Sequence, residues 1–203
     1  MTDDRELVRR CLRDDPSAVR ELVDRFQTDV YALCVRLLRH RHDAEDVAQE
    51  VFLRIVRSLH RWDTARPLRP WVLGITVNRC RTAMAKRVKR PPTADYLADM
   101  PDREPPSEGG ELAAAIAECV GELRAEYREV FVLFHETGRS YEEIADIVGR
   151  PVGTVKTWLH RARQMMLEHL KARGLMPSDE PRPPGSGEPT PRSLAVAARK
   201  EPT

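Results

Sequence analysis

Asp43, Glu45, Asp46 and Glu50 crowd four carboxylates into one short stretch of the chain. Carboxylates at this density can hold a divalent cation or work as an acid–base pair. Either use needs company, and no matching histidine or glycine-rich phosphate loop accompanies them. Their spacing points elsewhere. Asp46 and Glu50 are four residues apart, so on a helix they face the same way, with Gln49 beside them. Such an acidic and amide stripe suits a basic, hydrogen-bonding partner helix. The alternative is a solvated face opposite a Val47–Val51–Ile55 core.

Cys34, His40 and His42 could bind zinc, and the thiols could switch with redox state. The four cysteines (Cys11, Cys34, Cys80 and Cys119) are scattered, without a CxxC pair. Small buried or half-buried thiols are therefore the favoured reading, with no metal site.

A different chemistry lies between Asn78 and Arg90. "NRCRTAMAKRVKR" holds six basic residues and no acidic one. Unbalanced cations of this kind favour contact with phosphates over a merely solubilising helix end. The preceding loop, "RWDTARPLRP", adds Arg61, Arg66 and Arg69. Trp62 is open between stacking platform and core, whereas Trp71 reads as core.

The stretch Ser140–Met166, "SYEEIADIVGRPVGTVKTWLHRARQMM", reads as two helices joined by a sharp stop. Ser140 and Glu143 make a capping box, which predicts a helix start at Tyr141. Gly149 suits the left-handed residue that ends this helix, and Pro151 prevents simple continuation. Thr154 is placed to cap the next helix. On that helix Val155, Leu159, Ala162 and Met166 share one face, which must pack inward. Thr157, His160, Arg161 and Gln164 fall opposite, with Lys156 at the margin and Arg150 before the turn. A helix-turn-helix with a basic outer face is built to enter the DNA major groove.

The elements that position these residues are all helical. From Asp3 to Arg90, apolar residues recur at helical spacing: Val19, Leu22, Val23 and Phe26, then Val30, Leu33, Cys34 and Leu37. Val47, Val51, Ile55 and Leu59 predict a third helix, with Asp43 as its N-cap. A fourth helix is expected after Pro70. Gly74 inside it should cost about 1 kcal/mol relative to alanine. Pro91 to Glu111 holds six acids and one base and reads as a linker to about Gly110. Leu112, Ile116, Val120 and Leu123 then form a stripe, and another helix begins in Tyr127–Phe134. After Met176, seven of the last 27 residues are proline, which predicts disorder.

The 203 residues suffice for one or two domains, and the net charge of +2 names no partner. The start "MTDDRELVRR" lacks a signal peptide's apolar core, and the longest apolar run is "VFVLF". A cytoplasmic protein without membrane insertion is expected.

Three segments, "DAEDVAQEVFLRIVRSL", "RPWVLGITVNRCR" and "SYEEIADIVGRPVGTVKTWLHRAR", resemble in type and order a bacterial extracytoplasmic-function (ECF) sigma factor. The resemblance implies an all-α fold of two small helical domains. These would be a sigma-two-like bundle over residues 1–90 and a sigma-four-like helix-turn-helix domain over 111–175. A flexible linker (91–110) would join them, and a disordered tail (176–203) would follow. By the resemblance, Asp46, Gln49 and Glu50 dock on core RNA polymerase. Arg61, Trp62, Arg66, Arg69, Asn78, Arg79, Arg81, Lys86 and Arg87 would bind and open the downstream promoter element, with Lys89 and Arg90 continuing the run. Arg150, Thr154, Lys156, Thr157, His160, Arg161 and Gln164 would meet the upstream element.

The implied protein has no catalytic centre and no cofactor. Its partners would be core polymerase, promoter DNA in double-stranded and melted form, and an anti-sigma factor, which could hold it at the membrane. Trp158 departs from the polar residue usual in the family, Leu68 replaces a usual phenylalanine, and the tail is long. The rival reading is a helix-turn-helix regulator that works without polymerase. The first block lacks the strand–helix alternation of a receiver domain, which weighs against that rival.

Overall fold

The structure is a computed structural model that describes residues 3–88 and 110–176. The expected linker and tail therefore fall outside the described residues, except Gly110 and Met176. Among the described residues there are eight α-helices and no strand. They form two compact units, the first built on the four N-terminal helices and the second on the last four.

The first unit comprises α1 (Asp4–Cys11), α2 (Pro16–Leu38), α3 (Arg41–Ser58), a 3-10 turn (Leu59–Arg61) and α4 (Leu68–Val88). The apolar periodicity of the sequence becomes its core: Leu22, Phe26, Val30, Leu33, Cys34 and Leu37 of α2 are buried with Val47, Val51 and Ile55 of α3. Val72, Leu73, Val77 and Cys80 of α4 join them. The helices α2, α3 and α4 pack against one another in all three pairs. Asp15 caps α2 by accepting from the Ser17 and Ala18 backbone N–H groups at 2.9 and 3.4 Å. The Ser17 hydroxyl and the Arg10 guanidinium also donate to it, and its carboxyl is held down at about 2. Arg39, in the left-handed region at φ 57°, closes α2.

Two helix starts differ from the sequence reading. The N-cap of α3 is His40, whose Nδ1 accepts from the Asp43 N–H at 3.3 Å. Asp43 sits inside the first turn instead. The cause is the abrupt left-handed stop at Arg39, which leaves His40 as the extended residue before the helix. Helix α4 starts at Leu68, ahead of Pro70. The first-turn N–H groups of a helix have no partner within it, so the missing N–H of Pro70 costs nothing there. The helix runs unbroken through Gly74.

The second unit comprises α5 (Gly110–Glu122), α6 (Ala125–His135), α7 (Tyr141–Val148) as far as Ala145, and α8 (Val152–Ala172). Its centre is the packing of α6 on α8, with α5 laid against both. Val130, Leu133, Ile144, Val155, Leu159 and Ala162 are fully or almost fully buried. The expected stripe on α5 is rotated. Leu112 is exposed and Ile116 half-buried, whereas Ala115, Cys119, Val120 and Leu123 are buried. The side that faces inward is the one carrying the small residues. Arg128 closes this end of the unit, donating to the carbonyls of Val120, Gly121 and Leu123 at 3.2, 2.8 and 2.9 Å.

All four cysteines are free and buried. Cys34, His40 and His42 form no metal-ligating cluster among the described residues. No helix of the described residues is long and apolar enough to cross a membrane.

Candidate polymerase and nucleic-acid interface

On α3 the two faces separate cleanly. Val47, Val51 and Ile55 point into the core, and Asp46, Gln49 and Glu50 are exposed. Two further residues extend the exposed side. Leu53 is 59% exposed and Val56 37% exposed, although both are large and apolar. They follow Gln49 at four and seven residues, so they continue its stripe along the helix. Their misfit to the four-step core pattern was the available signal in the sequence.

On the loop and helix expected to meet the downstream element, Arg61, Arg66, Arg69, Asn78, Lys86 and Arg87 are exposed, and Arg79 and Arg81 are half-buried. Trp62 stands apart from this set. It is only 7% exposed, so it belongs to the core and presents no stacking surface. The chain turns inward after the 3-10 turn, where Trp62 N–H bonds the Leu59 carbonyl at 3.0 Å. Trp71 is half-buried.

Several of these cations already meet acids. Arg69 pairs with Asp29 at 3.0 Å, Arg66 with Asp63 at 3.8 Å and Arg87 with Asp43 at 3.8 Å. Arg79 forms an ion pair with Glu50. Every partner is about one-third or more exposed, so the pairs are weak, on the order of 0–1 kcal/mol each. Phosphates can compete for such arginines. Lys89 and Arg90 lie outside the described residues.

The helix-turn-helix is assembled as its sequence predicts at α7. Glu143 N–H donates to the Ser140 hydroxyl at 3.1 Å, and Ser140 N–H donates to the Glu143 carboxylate at 2.9 Å. Gly149 takes φ 67°, and Arg150 N–H reaches back to the Ala145 carbonyl at 3.1 Å, which ends the helix. The start of α8 is earlier than expected. Pro151 is the N-cap, and its carbonyl accepts from the N–H groups of Thr154 and Val155 at 2.9 and 3.2 Å. Thr154 is thus a half-buried first-turn residue and caps nothing. The proline fixes φ at −57°, a value already suited to a helix start.

Along α8 the division into faces holds. Val155, Leu159, Ala162 and Met166 are buried, and Lys156, Thr157, His160, Arg161 and Gln164 are exposed, as is Arg150. Trp158 is half-buried at the margin. The Lys156 ammonium sits 5.3 Å from the Tyr141 ring centroid, and Tyr141 stacks on Phe134 at 5.2 Å. Arg161 donates to the phenolic oxygen of Tyr127 at 3.2 Å. Tyr127 and Arg124 line a shallow hollow with Arg161 and Gln164. Neither was singled out from sequence. They lie far from α8 along the chain, so no local pattern joins them to it.

Comparison with known proteins finds two family matches. Residues 22–90 match Sigma-70 region 2, and residues 113–166 match Sigma-70, region 4. The chain is 30% identical to the RNA polymerase sigma-H factor of Pseudomonas aeruginosa, over 83% of this chain and 94% of that protein. It is 32% identical to the ECF RNA polymerase sigma-E factor of Haemophilus influenzae, over 80% and 93%.

The chain belongs to the ECF sigma factors.

Among solved structures, this ECF sigma factor is similar to CnrH in its complex with the cytosolic domain of CnrY. The TM-score is 0.63 with 28% identity, over 83% of this chain and 97% of that one. It is also similar to the sigma factor RpoE of Bartonella quintana, solved with the anti-sigma factor NepR. That match has TM-score 0.63 and 25% identity, over 75% and 96%. As a sigma factor the protein binds RNA polymerase and directs it to promoters for transcription initiation. The region 2 match over α2–α4 disfavours a regulator that works without polymerase.

Proposed function

We propose that the exposed stripe of α3, centred on Asp46, Gln49 and Glu50, docks on core RNA polymerase, and that Leu53 and Val56 widen this surface. Arg61, Arg66, Arg69, Asn78, Arg79, Arg81, Lys86 and Arg87 serve the downstream promoter element and its opening. Arg150, Thr154, Lys156, Thr157, His160, Arg161 and Gln164 serve the upstream element, with Arg150 placed to hold the DNA backbone. Residues 1–90 and 111–175 act as the two DNA-reading domains, 91–110 as their tether and 176–203 as a tail. Tethering both domains on one polymerase raises the effective concentration of each at its element.

One observation carries this reading. In α8 a fully buried apolar face lies opposite an uninterrupted exposed face of Lys156, Thr157, His160, Arg161 and Gln164, after a capped and glycine-stopped helix. That is the arrangement a major-groove reader needs. Catalysis belongs to the polymerase, so the protein works in the cytoplasm without a cofactor or catalytic residue of its own. An anti-sigma factor is a further partner of this reading, since the Bartonella quintana sigma factor was solved with one.

The test combines purified protein, bacterial core RNA polymerase and genomic DNA, followed by sequencing of transcript 5′ ends. Discrete starts that share two upstream boxes and need the protein are expected. Their absence with folded protein would sink the reading. Reversing the charge of Asp46 and Glu50 together should abolish co-purification with core enzyme while the helical signal persists. Promoter binding should fall steeply as salt rises, because phosphate contacts dominate it.

A further inference from the structure

Cys34 on α2 and Cys80 on α4 meet at the centre of the first unit. Their Sγ atoms are 3.8 Å apart, although the residues are 46 positions apart in sequence. Neither side chain has exposed surface. The bland account is two small apolar residues where helices approach closely. Two features go beyond it. The sulfurs touch, so a disulfide of about 2.0 Å needs an approach of only about 1.8 Å. The two thiols also come from different helices, so a bond between them would tie α2 to α4.

We propose that Cys34 and Cys80 form an oxidative modification site, closed to an intramolecular disulfide by hydrogen peroxide. One thiolate attacks a peroxide oxygen and the O–O bond breaks, giving a sulfenic acid and hydroxide, which takes a proton to become water. The second thiol then attacks the sulfenic sulfur. The S–S bond forms, the S–O bond breaks and a second water leaves. Two thiols lose two electrons and the peroxide gains two. A dithiol reductant reverses the bond by thiol–disulfide exchange. Burial makes the step wait on local opening of α2 from α4, so the site responds to sustained oxidant. Cys11 and Cys119 provide internal references, because they sit on other helices, α1 and α5.

The folded full chain would be treated with hydrogen peroxide, quenched, denatured, alkylated and peptide-mapped without reductant. Cys34 and Cys80 should lose alkylation together, at least tenfold faster than Cys11 or Cys119. A peptide joining them should appear in monomeric protein and vanish after dithiothreitol, with the helical circular dichroism unchanged before denaturation. In the Cys34→Ala variant Cys80 should stop at the sulfenic acid, which dimedone traps. The proposal is overturned if Cys34 and Cys80 stay alkylated while Cys11 or Cys119 oxidises. It is equally overturned if the crosslinks run between chains, or if the bond forms only after the helical signal is lost.

Discussion

Glu50 of α3 forms an ion pair with Arg79 of α4, and the two residues belong to stripes with different proposed partners. Glu50 stands with Asp46 and Gln49 on the side proposed to face polymerase, and Arg79 stands in the basic series of the helix proposed to face DNA. The surfaces therefore share a border at this pair. Glu50 is half exposed and Arg79 about one-third exposed, so the pair contributes less than about 1 kcal/mol to folding. Glu50→Gln should shift the urea midpoint only slightly. The same change should lower core-polymerase affinity about tenfold, since a charge-assisted hydrogen bond to a partner is worth about 1.5–3 kcal/mol. Denaturation and polymerase binding measured on one preparation separate the two effects. A large loss of stability with unchanged binding would reverse the assignment.

Arg161 should be the most telling residue of α8. Its guanidinium is exposed yet held at one side by the Tyr127 phenol. Arg161→Ala should cost about 1–3 kcal/mol of promoter recognition if it reads a base edge. Tyr127→Phe removes only the hydroxyl, leaves the buried ring in place, and should produce the same kind of loss at smaller size. Transcription from promoters that differ at single upstream-box positions distinguishes the modes. Relaxed specificity at one position identifies a base contact, and uniform weakening identifies a phosphate contact. Unchanged transcription from every promoter would remove Arg161 from the interface.

Much of this architecture could be read in the chain itself, and the exceptions share a cause. The Val47–Val51–Ile55 stripe, the Ser140–Glu143 capping box and the Gly149 stop are local signals, and the structure realises each of them. The same holds for the inward face of α8. What escaped was set by tertiary context. Trp62 has an amphipathic side chain in a basic loop, and only the packing beneath that loop decides that it is buried. The rotation of α5 depends on the helices it meets, because both of its faces carry apolar residues. The starts of α3 and α8 moved because backbone geometry at Arg39 and Pro151 outranked the capping preference of Asp43 and Thr154. The contacts Tyr127–Arg161 and Cys34–Cys80 join distant parts of the chain, where no periodicity reaches.

Arg128 predicts a stability effect confined to the second unit. Its guanidinium satisfies three carbonyls at and beyond the end of α5, which otherwise lack helical partners. Arg128→Ala should destabilise this unit by about 1–3 kcal/mol. Lysine, which cannot span three carbonyls with a planar fork, should recover only part. Urea unfolding of the full chain, followed by the helical signal, checks both. Equal stability of the alanine variant would mean that water replaces the guanidinium without loss.

His135 predicts an acid response of the same unit. Its ring packs on Phe131 and Phe134 at centroid distances of 4.4 and 4.9 Å. Its Nε2 accepts from Arg163 at 3.4 Å, and its Nδ1 is buried without a partner among the described residues. Burial first, and the Arg163 charge second, push its pKa down from 6.5 to about 4. A charged imidazolium is therefore disfavoured in the folded state, and the unfolded chain takes up the proton more readily. The stability from this group is fully present above pH 6.5 and is lost as pH falls toward 4. After allowance for partial exposure, the loss across that window is on the order of 2 kcal/mol. His135→Leu should cost little at pH 7.5 and should flatten the stability profile between pH 6.5 and 4 relative to the wild type. Parallel profiles for the two proteins would show that His135 takes up its proton equally well when folded, and another group would then have to carry the acid sensitivity.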